Sequence, residues 1–310
     1  MEHRRLVRLL GAITIAAVLS GCASEDGGEP SAASPGTQPS TSASASATPS
    51  RAPTPSPTPA PTPQPAEVTK SPALGTIPPT WLGKRRLPLA GTAGFGVVRP
   101  TPAELRQRRF TLPDQLPPLP GRGFASRVDA PAPARVLARS TWKPGCPVAA
   151  TDLSWVRLTF WGFDHRRHTG ELLVHQSVAD DLVGVFRALY DERFPIEEMR
   201  ITRLDELDAP PTGDGNNTGV FACRVTTGGS SYSQHAYGLA IDVNPFQNPY
   251  LKDGQVLPEL ASSYLARGRV RPGMITPGGP VARAFAGIGW PWGGEWQSLK
   301  DYQHFSQNGR

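Results

Sequence analysis

The sequence contains no apolar run long enough to form a mature membrane-spanning helix. Its one sustained stretch, Leu9 to Leu19, is interrupted by Gly11 and Thr14 and falls short of the ~20 residues needed to cross a hydrocarbon core of about 30 Å. Internal repeats are also lacking, which excludes solenoid and propeller arrays. A large excess of charge of one sign is lacking: the formal net charge is +6 over 310 residues, no nucleic-acid-binding motif accompanies it, and no nucleic-acid partner is expected. Cysteine is scarcer still, with three residues, Cys22, Cys146 and Cys223.

What the N-terminus does have is order. Arg4, Arg5 and Arg8 precede the apolar run, and Leu19-Ser20-Gly21-Cys22 follows it. Basic, apolar, then small is the pattern of a secretory signal, so residues 1–22 are expected to be processed rather than folded. Leu-Ser-Gly-Cys resembles the bacterial lipobox, which would make Cys22 a lipidated first residue; an ordinary cleaved signal with an incidental cysteine is the alternative. Acyl chains contribute about 0.8 kcal/mol per buried methylene, so several on Cys22 would hold the protein to the outer membrane face. The Arg4-Arg5 pair also allows twin-arginine export. Residues 23–72 are almost entirely Ser, Thr, Ala, Pro, Gly and Gln, with prolines alternating from Pro55 to Pro65. So little apolar bulk cannot offset ordering entropy, and this segment reads as a disordered, extended tether. At about 3.1 Å per residue it reaches on the order of 150 Å, enough to carry a domain into a cell wall. With Cys22 lipidated, Cys146 and Cys223 remain, and such a pair outside the cytoplasm is expected to form a disulfide, two separate buried thiols being the alternative.

Residues 73–140 are still rich in proline, including Pro113 and Pro117 to Pro120. They read as a lead segment that wraps a domain surface or stays mobile, with Arg106 to Arg109 a solvated basic patch. Residues 141–310 are ample for one folded core. Trp155 to Trp161 alternates apolar and polar, as does Glu171 to His175, predicting a hairpin with a polar turn at 164–170. Ser177 can cap a helix to about Tyr190 that puts Val178, Leu182, Val185, Phe186 and Leu189 on one face. Glu198 to Arg203 predicts a further strand, 208–217 a loop, and Val281 to Ile288 a short helix before the Gly/Trp-rich stretch Gly289 to Trp296. In Leu239 to Val243 the period of two sets Ala240 and Asp242 opposite Ile241 and Val243, so a strand can bury its aliphatics while aiming one carboxylate at a cleft. The mixed order predicts an α+β fold, a small antiparallel sheet flanked by helices.

The chemistry concentrates in Ser233 to Asp242 and Asp301 to His304, which supply two histidines and two carboxylates. That set suits a zinc site with three protein ligands, one open position and a nearby base. His235 and Asp242 flank a tight turn at Gly238, His304 completes the ligands, and Asp301 is placed to accept a proton. Taken singly each has a plainer explanation: a core histidine, a turn-bonding aspartate, a solvated terminal charge. Asp164, His165 and His168 also have ligand-like spacing, which a polar turn explains better. His175 reads as packing or a contact behind the ligands.

The pattern Ser233-x-His235-x-x-Gly238-x-Ala240-x-Asp242 with a later acid-x-x-His resembles the signature of the zinc D-alanyl-D-alanine carboxypeptidases and their relatives, the D,D-dipeptidases and L-alanyl-D-glutamate endolysins. The similarity runs from about Trp142 to Phe305, through Cys146-Pro-Val, Phe221-Ala-Cys-Arg224, Asn244-Pro-Phe-Gln-Asn-Pro249 and Gly294-Glu-Trp296. It implies a zinc cleft in an α+β fold, metal held by His235, Asp242 and His304, Asp301 as general base, and cleavage of peptidoglycan stem peptides. It further implies that Arg224 holds the scissile carbonyl oxygen, a task suited to a permanently charged guanidinium. Ser233 is expected to orient a neighbouring backbone group or substrate, and Tyr237 to line the cleft. Two departures stand out. Asp301 occupies a position where the carboxypeptidase branch commonly has Glu, with Trp before the His, and so resembles the endolysin branch; Pro291 interrupts the Gly/Trp run, whose Trp290, Trp292 and Trp296 stack on glycan or simply pack. The expectation is an extracytoplasmic, lipid-anchored zinc peptidase, D-Ala-D-Ala carboxypeptidase first and L-Ala-D-Glu endopeptidase second, with a non-catalytic peptidoglycan-binding lipoprotein as the rival.

Overall fold

The computed structural model describes residues 73–310, Ala93 excepted. The signal and lipobox at 1–22, with Cys22, and the 23–72 tether lie outside the described residues. In chain order the elements begin β1 (Ser126–Asp129), α1 (Ala134–Leu137), β2 (Leu153–Trp161), β3 (Arg167–His175) and α2 (Ala179–Asp191). They continue with β4 (Glu198–Met199), α3 (Leu204–Leu207), β5 (Asn217–Thr218), β6 (Ala240–Asp242), β7 (Tyr250–Lys252) and β8 (Gln255–Leu257). The last are α4 (Pro280–Ala286), β9 (Lys300–Asp301) and β10 (His304–Ser306). Strands β1-β2-β3 form an antiparallel sheet, β10 pairs with β6, β4 with β5, and β7 lies between β8 and β9. The fold is α+β, with small, mostly antiparallel sheets.

Strand β2 is covered on both faces. Val156, Leu158 and Phe160 pack with the apolar face of α2, while Leu153 and Trp155 pack with Val136, Val148 and Phe221 on the other side. All five residues assigned to the helix face, Val178, Leu182, Val185, Phe186 and Leu189, are buried there. The cap differs from the expected one. A short 3-10 turn, Gln176–Val178, precedes α2, and His175 caps it by accepting the Ser177 N–H on its ring nitrogen; Ser177 is the capped residue, not the cap.

Two strand boundaries also differ. The turn between β2 and β3 is shorter than 164–170, because Arg167 already pairs with Trp161 and its guanidinium donates to the carbonyls of Leu119, Gly121 and Gly123. Strand β4 stops at Met199 instead of running to Arg203. There the Asn217 side chain takes over as a strand partner, accepting from Arg200 N–H and donating to Arg200 O, both at 2.9 Å.

The lead segment is part of this core. It supplies β1, and Leu105 and Phe110 pack with Phe246 and Tyr264. Within its basic stretch Arg106 and Arg109 are exposed, but Arg108 is 2% exposed, correcting the expected solvated patch. Its guanidinium grips the buried Glu197 in two hydrogen bonds of 2.5 and 2.7 Å and donates to Asp214 O at 2.8 Å. Flanking Leu105 and Phe110 draw the intervening arginine inward. Cys146 and Cys223 form the expected disulfide, their Cα atoms 5.9 Å apart.

Because Glu197 has no water to retreat to, Arg108→Ala is expected to cost about 3–5 kcal/mol, seen as a lower denaturant midpoint. The double replacement Arg108→Met with Glu197→Met should lose less than the single. Equal losses would show that the pair does not hold the lead segment down.

Candidate metal centre

The site is built by strand pairing. Strands β6 and β10 run antiparallel with Asp242 directly opposite His304, so their side chains emerge side by side on the same face. The alternating Ile241 and Val243 are fully buried on the other side. His235 arrives from the 3-10 turn Gln234–Tyr237, where Ser233 Oγ accepts the His235 N–H. Gly238 ends that turn in a left-handed conformation at φ 72°, and a Cβ there would sit 2.5 Å from His175 N. The glycine thus lets the histidine turn press against the end of β3, whose His175 N–H donates to Gly238 O at 3.0 Å.

Three donors converge. His235 Nε2 lies 3.3 Å from His304 Nδ1 and 3.3 Å from Asp242 Oδ2, and His304 Nδ1 lies 3.1 Å from Asp242 Oδ1. A tetrahedral ion with bonds of about 2.0–2.1 Å places its donors roughly 3.3–3.4 Å apart, so the triangle fits zinc. The remaining ring nitrogens are committed elsewhere. His235 Nδ1 donates to Val220 O at 2.6 Å and His304 Nε2 to the main-chain oxygen of Arg310 at 3.3 Å. Each bond fixes the tautomer that leaves a lone pair facing the centre. Two lone pairs and a carboxylate aimed at one another require a cation or a proton between them.

The ionisation equilibria reflect that demand. Burial disfavours the Asp242 anion, but the charge of His235 and hydrogen bonds from both imidazoles outweigh it and hold the carboxyl well below the usual range. Burial also opposes charging of His304, and the Asp242 hydrogen bond and charge overcome it, raising its pKa. Asp301 goes the other way: burial first, then repulsion from Asp242, push it up to about 7. Its Oδ1 is buried with no hydrogen-bond partner. Strand β9 holds it opposite Tyr250, and Gly293 allows the neighbouring turn to approach, since a Cβ there would meet Asp301 O at 2.7 Å.

Arg224 lies at the start of a hairpin whose other limb leads into Ser233 and His235, with Ser233 N–H donating to Arg224 O at 3.1 Å. The guanidinium donates to Val225 O and forms no ion pair among the described residues, yet its charge reaches Asp301. Arg224, Ser233, His235, Asp242, Asp301 and His304 all line one cleft. Tyr237 does not: it lies two residues on from His235 in a 3-10 helix, whose three residues per turn set it about 120° away. Tyr232 lines the cleft in its place. Trp290 and Trp292 are core residues, whereas Trp296 borders the cleft with its ring 5.4 Å from that of His304. His168 is bound at 2.8 Å to Asp114 and at 3.1 Å to Asp164, a bridge between the lead segment and the hairpin turn. Val220 and Arg310 carry no sequence signal, because each acts through a main-chain oxygen.

A His–Asp–His centre compatible with a metal, beside an acid whose pKa is raised, in a cleft of an α+β fold, is the kind of arrangement that hydrolases use. Residues 227–307, the segment that holds the three donors and Asp301, match the family model described as D-alanyl-D-alanine carboxypeptidase. Arg224 and both cysteines of the disulfide lie outside the matched residues. No curated protein and no solved structure matches the chain.

The ionisation shifts set the behaviour of the metal-free protein. Asp301, raised to about 7 from 3.8, holds a proton in the folded state that the unfolded chain releases earlier, so its contribution falls as pH rises between those values. His304, raised from 6.5, contributes in the same sense and is lost as pH climbs through its folded pKa. Asp242, lowered, loses its contribution only in acid. The unfolding temperature of chelator-treated protein should therefore drop from about pH 5 to about pH 8, and added zinc should reverse the drop by taking the proton's place. A flat or rising profile would contradict this charge arrangement.

Proposed function

We propose that this protein is a zinc-dependent peptidase acting on the peptide stems of peptidoglycan, most simply as a D-alanyl-D-alanine carboxypeptidase. The observation that carries this reading is the convergence of His235, Asp242 and His304 next to the unpartnered Oδ1 of Asp301, all inside the family-matched segment. Zinc bound by the three donors would supply Lewis-acid polarisation and a nucleophile at neutral pH.

The chain's own groups do the rest. Val220 O and the Arg310 main-chain oxygen hold the two imidazoles in the ligating tautomer. Asp301 accepts a proton from the attacking water and passes it to the leaving amine, a role for which a carboxyl raised toward neutrality is suited. Arg224, uncommitted to any carboxylate among the described residues, donates to the carbonyl oxygen as that atom gains charge. Ser233 keeps the His235 turn in place. Asp rather than Glu at position 301 favours the second reading, an L-alanyl-D-glutamate endopeptidase. Mass analysis of muropeptides before and after incubation distinguishes loss of a terminal alanine from an internal cut, and no change at all would favour a non-catalytic binding protein. The signal pattern and Cys22 support placement outside the cytoplasm, tethered by lipid to the outer membrane face and reaching into the wall.

Asp301→Asn should retain zinc and lose turnover by on the order of a hundredfold or more, since an amide cannot take the proton. Arg224→Ala should depress kcat more than it raises KM, with Arg224→Lys recovering part of the loss. In contrast, His235→Ala, Asp242→Ala and His304→Ala should each lower zinc content as well as rate. Full zinc content and full turnover in all three ligand variants would refute the metal assignment.

A further inference from the structure

The cleft extends well beyond the family-matched segment. Its volume of about 1350 Å³ exceeds the roughly 300–1,000 Å³ of a small-molecule pocket. Part of its lining comes from Pro78, Thr80, Leu82 and Lys84 at the start of the lead segment, and from Pro211 and Asp214 in the loop before β5. These two stretches are stitched together. Gly83 N–H donates to Asp214 Oδ2 at 2.9 Å, and Leu87 N–H donates to Pro211 O at 2.8 Å. Arg108, further along the same lead segment, donates to Asp214 O while gripping Glu197. A buried ion pair therefore anchors the wall, and residues 78–84 are a fixed part of the cleft.

Arginines on this wall are paired within the protein. Arg200 is tied to Glu198 and Glu206, and Arg203 to Asp205. Lys84 differs: it is exposed to the cleft and makes no ion pair among the described residues. A carboxypeptidase releases one C-terminal residue, so nearly all of its substrate must lie on the amino side of the scissile bond.

We infer that Pro78–Lys84 forms a subsite for an extended oligopeptide on the amino side of the scissile bond, with Lys84 pairing to a carboxylate carried by that part of the peptide. The inference rests on the peptidase reading for its orientation, but binding alone can test it. The probes are a stem pentapeptide with its free glutamyl carboxylate, the same pentapeptide with that carboxylate amidated, and acetyl-D-Ala-D-Ala. Affinity by calorimetry and kcat/KM are measured on the zinc-loaded protein and on Lys84→Glu and Thr80→Trp. Both positions are exposed and outside the catalytic set, and unchanged zinc content and unfolding temperature would verify the fold.

The expected result is a pentapeptide preference over the short substrate of about tenfold or more, largely removed by Thr80→Trp obstructing the wall. Lys84→Glu should weaken the acidic pentapeptide by about tenfold and leave the amidated one and acetyl-D-Ala-D-Ala unchanged. Equal affinity for long and short peptides, or a preference indifferent to both substitutions, overturns the inference. If no peptide is cleaved while the binding preference responds as expected, the subsite stands and the peptidase reading fails.

Discussion

Asp242 and His304 stand directly opposite each other in the β6–β10 pair, and the rest of the site depends on that register. A slip of one residue would turn both side chains to the opposite face, sending a carboxylate and an imidazole into the layer now filled by Ile241, Val243 and Phe305. The apolar packing enforces the polar geometry: Phe305 is fully buried and stacks on Phe285 of α4 at 4.1 Å. Register is thus set by burial on one face, and the metal donors follow on the other.

The remaining donor and the acid are placed by backbone economy. His235 reaches the centre because Gly238 permits a close, left-handed turn against β3, and Asp301 because Gly293 leaves room for its main chain. The carboxylates then separate by environment. Asp242 lies among imidazoles and stays ionised, while burial and repulsion from Asp242 push Asp301 up to about 7. Divergence of this kind between neighbouring carboxyls is how a single site provides both a ligand and a proton acceptor.

Around this centre the cleft is a composite. The family-matched residues contribute the three donors and Asp301, whereas a proline-rich lead segment, locked by Arg108 and Glu197, contributes part of the wall. Proline suits that role because a fixed φ limits the freedom lost when an extended strap packs down. Segments with weak secondary structure can therefore shape a cleft, provided buried side chains such as Leu105, Arg108 and Phe110 pin them.

The sequence by itself determined much of this. The helix face from Val178 to Leu189, the alternation that makes Asp242 the cleft-facing residue of its strand, and the donor set His235, Asp242 and His304 were legible because each is a local period or a motif of fixed spacing; the cysteine pairing was legible because only two cysteines remain after Cys22. Tertiary structure decided what local pattern could not. The Asn217 amide ended β4 where alternation would have continued it, Arg108 turned inward to meet a carboxylate 89 residues away, and Tyr232 rather than Tyr237 took the cleft wall. Each outcome depends on a partner distant in sequence or on a main-chain oxygen, and neither leaves a mark on the residue's immediate neighbours.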